Sequence, residues 1–467
     1  RWWSIAHRCV MDNQSGVAHR YRIRGGWAVG GREMMAGVTS RAGRPLDGIL
    51  VADFSRVLAG PLATMTLADL GARVIKVERP GIGDETRTWG PPFTSHGTSY
   101  FEAVNRSKES IALDLTDPAD LHLARELARR ADVLVENFAP GTLDRLGLSY
   151  DEVAATNPGV IYCSISGFGR EGGRELLGYD FVVQAVGGLM SITGEPGHPT
   201  KAGVALVDVL TGKDATIGIL AALAARARTG RGDRLDVTLL TSSLGAMVNQ
   251  AQSALEHGRA PTSMGNKHPS IAPYETLSCV DSPIAVACGN DGQFRRLATV
   301  LGMPSLADDP RFATNSARVN NRAPLIELLE GALAGVARDE RNRGSGAGPG
   351  DRDGADTGGD QTAAIARAET AGSLTPLTAA AWVERISAAG VPVGRVGTIL
   401  DGLALAESLG LDPTIEIGAG FTRQVRHPVS YTAYETSTPS PPPDLGEHDE
   451  ALRAWLSAAA PQPTEAR

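Results

Sequence analysis

The sequence predicts an α/β protein: a large domain built on a parallel sheet, followed by a smaller α+β unit. Three observations predict it. Short apolar runs alternate with stretches of helical period from Leu46 to Ile165, the signature of strand–helix–strand repeats. The texture changes after about residue 260, where a hairpin pattern and short helices take over. The length of 467 residues exceeds the roughly 100–200 that one ordinary core organises.

Taken in order, Ile49-Leu-Val-Ala-Asp-Phe54 is the first strand, and Ser55-Arg-Val-Leu-Ala-Gly-Pro61 turns into a helix that runs to Leu70. Pro61 just inside that helix and Gly71 just past it follow the usual asymmetry of helix termini. Further strands are predicted at Val74–Glu78, Ser110–Leu115, Asp132–Glu136 and Val160–Ile165, with helical stretches between them. Gly212 to Arg228 reads as a buried helix that stops at the turn Thr229-Gly-Arg-Gly232. Thr276–Val280 and Ile284–Cys288, either side of Asp-Ser-Pro, form a hairpin. Residues 339–361 are rich in Gly, Asp and Arg and nearly free of large apolar groups, so they read as a flexible insertion. The tail from Gln462 reads as loose.

The first 45 residues carry eight Arg against two acids, Asp12 and Glu33. An Arg-rich, acid-poor start resembles an organelle transit segment, but a poorly ordered extension is the simpler expectation. The net charge of −8 argues against nucleic-acid binding while leaving room for a local basic pocket. The four cysteines are scattered without CxxC spacing, which disfavours a zinc site or disulfide framework and points to a reducing cytoplasm. No window approaches the ~18–20 apolar residues that span a bilayer.

Four features could carry chemistry. The turn after the first strand lacks GxGxxG, so a dinucleotide site is disfavoured despite Glu78 downstream, and no P-loop is present. Asp208 lies in the apolar run Gly203-Val-Ala-Leu-Val-Asp-Val-Leu210. It is either a helix cap or a partly desolvated carboxylate fit to act as a nucleophile. Asp180, in Gly178-Tyr-Asp180, opens a helical stretch and reads first as a cap. Arg56, Arg79, Lys108 and Arg145 fall near the carboxyl ends of predicted strands, where open α/β sheets bind ligands. Each could equally be a solvated surface charge.

Six strings occur together in order: LDGILVADFSRVLAGPLATMTLADLGARVIKVERP, SYFEAVNRSKESIALDL, ADVLVENFAPGTLDRLGL, GYDFVVQAVGGLMSITG, GILAALAARARTGRG and PPPDLGEHDEAL. This set resembles the CaiB/BaiF (family III) CoA-transferases, collinearly over about residues 46–456. The resemblance implies a Rossmann-like CoA-binding domain over 46–240, a linker over 241–263 and a small α+β domain over 264–400. It further implies a segment, 401–460, that returns to the large domain, and an interlocked homodimer. The family's catalytic aspartate falls on Asp208 and a companion carboxylate on Asp180. The residues that line the CoA site fall on Arg56, Val57, Ala59, Arg79, Leu113, Asn137, Phe138 and Arg145. A flexible active-site loop corresponds to Gly265-Asn-Lys-His-Pro269. CoA enters as a thioester substrate, with a carboxylic acid as its partner; no tightly bound cofactor or metal is expected, nor a membrane or nucleic-acid partner.

Departures from the pattern bear on the substrate. Leu58 stands where formyl/oxalate-specific members carry glutamine, Asp180 replaces a longer glutamate of some members, and Trp89 matches an aromatic position near the acyl pocket. The rival reading is an α-methylacyl-CoA racemase, a relative of the same fold. Racemisation needs an acid/base group on each face of the α-carbon, and those enzymes carry GHD where this chain has Gly178-Tyr-Asp180. Tyr179 lacks an imidazole that exchanges protons near neutrality, which favours the transferase. A CoA-binding protein without catalysis is the third reading.

Overall fold

The computed structural model describes residues 43–335, 377–436 and 438–458. Most of the Arg-rich start, the 339–361 insertion and the tail from Gln462 lie outside the described residues.

Six strands form one parallel sheet: β1 (Leu50–Asp53), β2 (Arg73–Glu78), β3 (Lys108–Ala112), β4 (Val133–Glu136), β5 (Ile161–Ser166) and β6 (Asp233–Thr238). Their order is β3-β2-β1-β4-β5-β6, and every neighbouring pair is parallel. The chain therefore builds outwards from β1 in one direction, then returns to build from β1 in the other. The crevice between the carboxyl ends of β1 and β4 is the switch point at which such sheets bind ligands.

Period-two alternation sends successive side chains to opposite faces. Val51, Val74, Val133, Val135 and Ile161 face one layer, with α1 (Ala59–Asp69) and the long helix Leu206–Thr229 packed on it. Ala52, Ile75, Leu134 and Tyr162 face the other, covered by the helix Pro118–Arg130 and by Leu452 and Leu456 of Asp449–Ser457. Truncating any of these fully buried leucines to alanine costs about 2–5 kcal/mol.

A separate three-stranded antiparallel sheet, β7 (Tyr274–Leu277), β8 (Ile284–Ala287) and β9 (Val393–Arg395), packs its own core against helices Asp291–Val300, Arg322–Leu333 and Ala379–Ala388. The segment read as a linker holds two helices, Leu239–Ala246 and Val248–His257.

Three local readings change. The third strand starts at Lys108, not Ser110, because Lys108 is buried and ion-paired rather than solvated. The sequence pattern does not predict the edge strand β6 or the short β9. The long helix begins at Leu206, six residues before the predicted Gly212. No helix among the described residues is long and apolar enough to cross a membrane. No group of three or more His, Cys, Asp or Glu among them could hold a metal.

Candidate active site

The residues after β1 and β4 meet across the switch point. The Arg56 backbone N–H donates to Asn137 Oδ1 (2.8 Å), and Asn137 Nδ2 donates back to the Arg56 carbonyl (2.7 Å). The Arg56 guanidinium lies 5.1 Å from the Phe138 ring centroid and pairs with Glu85 at 2.6 Å. Its Nε is buried without a partner. Val57 sits at φ 71, a region a β-branched residue rarely enters. Gly60 is required just beyond, since a β-carbon there would lie 2.2 Å from Ser55 Cβ.

Ala59 opens α1 and is buried. Arg79 and Leu113 follow β2 and β3 at the same carboxyl edge, Arg79 exposed and Leu113 buried. Arg145 is exposed in the short turn Asp144–Leu146. Lys108 is the exception among the four candidate cations: its Nζ donates to Asp53 (2.9 Å), Asn105 (2.9 Å) and the Pro61 carbonyl (3.0 Å). It is neither a ligand contact nor a surface charge. It is half of a buried ion pair. Burial opposes ionisation of Asp53, but Lys108 and Lys76 hold its carboxyl down at about 2.

Asp208 occupies the third position of the helix Leu206–Thr229, so it does not cap that helix; Ala205 holds the cap position without a side-chain bond. The capping is done from elsewhere. Asp180 Oδ1 accepts the backbone N–H groups of Val207 (2.7 Å) and Asp208 (3.2 Å), while its Oδ2 accepts from Gln184 Nε2 (2.6 Å). Asp180 itself is the first residue of a short helix, Asp180–Val186, whose cap position is Tyr179. It thus caps a helix that starts 26 residues after it, by the numbering of both ends. Gln184 Oε1 in turn accepts from the Ala202 N–H at 2.9 Å, fixing the approach to the long helix.

Asp208 receives the opposite treatment. Among the described residues no donor reaches its carboxylate. Burial pushes its carboxyl up to about 7, and the neighbouring Asp180 charge adds to the shift. The helix N-terminus counters part of this by favouring an anion. One turn on, Gly212 lets this helix lie against α1: a β-carbon there would come 2.7 Å from the Ala59 carbonyl. Two helix starts therefore stand side by side, one bearing Asp208 and the other following the Arg56–Val57 turn.

An aromatic pair completes the site. Trp89 and Tyr100 meet edge to face at 5.3 Å. Burial, with Asp208, Asp180 and Asp84 contributing in that order, pushes the Tyr100 phenol up to about 12. Tyr100 lies in SYFEAVNRSK, where nothing in the sequence marks it; its ring contact with Trp89 is visible only in the structure. Tyr179 is exposed and supplies no imidazole. In the stretch 265–269, the Gly265 N–H donates to the Gly194 carbonyl (2.9 Å), in the segment between the Asp180 and Asp208 helices, and the His268 N–H to the Tyr274 carbonyl (3.0 Å).

A parallel sheet open at its switch point, with a desolvated carboxylate at a helix start, defines a class of α/β enzyme. The chain belongs to CoA-transferase family III, whose model matches residues 46–345. It is 36% identical over 410 residues to the mouse succinyl-CoA:glutarate CoA-transferase, covering 87% of this chain and 85% of that protein. The acetyl-CoA:oxalate CoA-transferase of Acetobacter aceti is 38% identical over 418 residues, covering 89% and 96%. The crystal structure of a CAIB/BAIF family protein from Brucella suis superposes with a TM-score of 0.73 at 40% identity, covering 89% of this chain and 100% of that one. The protein is an enzyme of CoA transfer between acids.

Proposed function

We propose that the chain moves CoA from an acyl-CoA donor to a carboxylic acid through covalent intermediates on Asp208. The observation that carries this reading is the contrast between the two acids: Asp180 spends both oxygens on hydrogen bonds, whereas Asp208 is desolvated and receives no donor among the described residues. Poor solvation makes a carboxylate a stronger nucleophile.

The Asp208 carboxylate attacks the donor acyl carbonyl and expels CoA thiolate, leaving a mixed anhydride. The thiolate then attacks the aspartyl carbonyl, forming an aspartyl–CoA thioester and releasing the donor acid. The acceptor carboxylate attacks that thioester and expels the thiolate again. A final thiolate attack on the acceptor's acyl carbon yields the new acyl-CoA and regenerates Asp208. Each step exchanges one activated acyl bond for another, so no external energy source enters. Arg56, Val57, Ala59, Arg79, Leu113, Asn137, Phe138 and Arg145 bind CoA, the arginines suiting its phosphates.

The named relatives act on succinate, glutarate and oxalate, and we read the acceptor here as a dicarboxylic acid as well. We also read the enzyme as a cytoplasmic, interlocked homodimer. In support, the helix Ile399–Ser408 has no buried residue and exposes Ile399, Leu400 and Leu405. The test is mass spectrometry of enzyme incubated with succinyl-CoA and trapped with hydroxylamine. A hydroxamate on Asp208 supports the reading. Absence of any adduct across a panel of acyl donors, or rapid α-proton exchange on a 2-methylacyl-CoA without acceptor, sinks it.

A further inference from the structure

The turn Ser55–Val57 is held by side chains at almost every backbone polar group. The Ser55 N–H donates to Asp53 Oδ1 at 3.0 Å, and the Ser55 carbonyl accepts from Lys76 Nζ at 2.8 Å. Both polar groups of Arg56 pair with Asn137. The Val57 N–H points at the two oxygens of Asp84, 3.3 and 3.2 Å away. Lys76 and Asp84 are themselves an ion pair at 2.9 Å with both side chains wholly buried. One buried pair therefore grips the turn at each end, Lys76 at Ser55 and Asp84 at Val57.

A grip of this kind has a cost. Two charges are withdrawn from water, and removing one partner strands the other. The gain lies in Val57, whose positive φ is a conformation an unrestrained valine leaves. Asp84 is further fixed by the N–H and hydroxyl of Thr86, at 3.0 and 2.7 Å, and its own N–H donates to Glu78. The same segment leads directly to Trp89 and, through the Thr98 hydroxyl on the Thr86 carbonyl, to the helix that carries Tyr100.

We propose that the Lys76–Asp84 pair is a positioning device that locks the strained Val57 turn in its CoA-receiving shape and ties that shape to the Trp89–Tyr100 wall. This rests on the reading of the switch point as the CoA site. Neither residue touches substrate; both act through the turn. Their loss raises the KM for acyl-CoA far more than it lowers kcat, because the nucleophile stands on a different helix.

The experiment compares Asp84→Asn, Val57→Gly and the double variant for free-CoA binding by calorimetry and for KM and kcat with succinyl-CoA and glutarate. Asp84→Asn is expected to weaken CoA binding by about tenfold, the equivalent of one released strained residue. Glycine accepts a positive φ without strain, so Asp84→Asn made on top of Val57→Gly is expected to weaken binding several-fold less. Where Asp84→Asn does not fold, Lys76→Met with Asp84→Leu removes both grips without stranding a charge and is expected to show the same rise in KM. Equal CoA binding by wild type and either of these variants overturns the inference, as does strict additivity with Val57→Gly. Failure of the wild type itself to bind CoA overturns the underlying reading of the site and the inference with it.

Discussion

The Ser55–Val57 turn and the start of the Leu206–Thr229 helix stand close together and are built on opposite plans. In the turn, four side chains satisfy the backbone, and the charges beneath are paired at zero exposure. At the helix start the backbone is satisfied, by Asp180, but no donor among the described residues reaches the Asp208 carboxylate. The difference separates two tasks. A surface that receives a large substrate gains from rigidity, whereas a nucleophile gains from being denied the hydrogen bonds that would quieten it.

The strongest way to break the comparison is Asp208→Asn, which keeps the shape and removes the nucleophile. CoA transfer is expected to fall by on the order of 10⁴ or more, with CoA binding retained, read by steady-state assay and calorimetry. The same variant sharpens the claim of a bare carboxylate. A carboxyl whose folded pKa is raised, here to about 7, costs stability nothing below its ordinary value and progressively more between about 4 and 7. Asp208→Asn is therefore expected to raise stability by ~1–3 kcal/mol at pH 8 and to leave it unchanged at pH 3.5, as measured by urea unfolding. A gain independent of pH would contradict the assignment.

Next in size is Asp180→Ala, which removes the cap from the long helix and should cost about 1–2 kcal/mol, seen as a lower urea midpoint. Asp180→Asn separates charge from cap. Taking away the neighbouring negative charge lowers the Asp208 pKa, so the acid limb of the rate profile, expected near pH 7 in the wild type, should move to lower pH. The smallest effect expected on chemistry is that of Tyr100→Phe. Its phenol stays protonated at working pH, and its loss should alter the ranking of acceptor acids in a competition assay more than the overall rate.

How far the sequence reveals this contrast depends on the residue. Strands β1, β2, β4 and β5 are legible because buried parallel strands are continuous apolar runs. β6 is not, because an edge strand mixes Asp233, Arg234 and Asp236 among its apolar residues and so reads as a loop. Lys108 hid in the same way: a buried lysine cannot be told from an exposed one until its partner, 55 positions away, is seen. With a helix starting at Gly212, as the sequence predicts, Asp208 stays balanced between cap and nucleophile. Starting it at Leu206 moves Asp208 inside the first turn, and a contact from Asp180 across 28 positions takes over the capping. Nothing in Gly83-Asp-Glu-Thr marks Asp84 as a side chain that reaches back to Val57.

The parts of the site also leave the ribosome in a set order. Every side chain that grips the Ser55–Val57 turn lies between Asp53 and Asn137, so the emerging chain can complete the receiving surface before Asp180 leaves the ribosome. Asp208 follows later still, and its helix, which lies against α1 at Gly212, emerges only after the first five strands are made. The reactive carboxyl thus emerges after the turn that receives its substrate, which has all its gripping side chains by then.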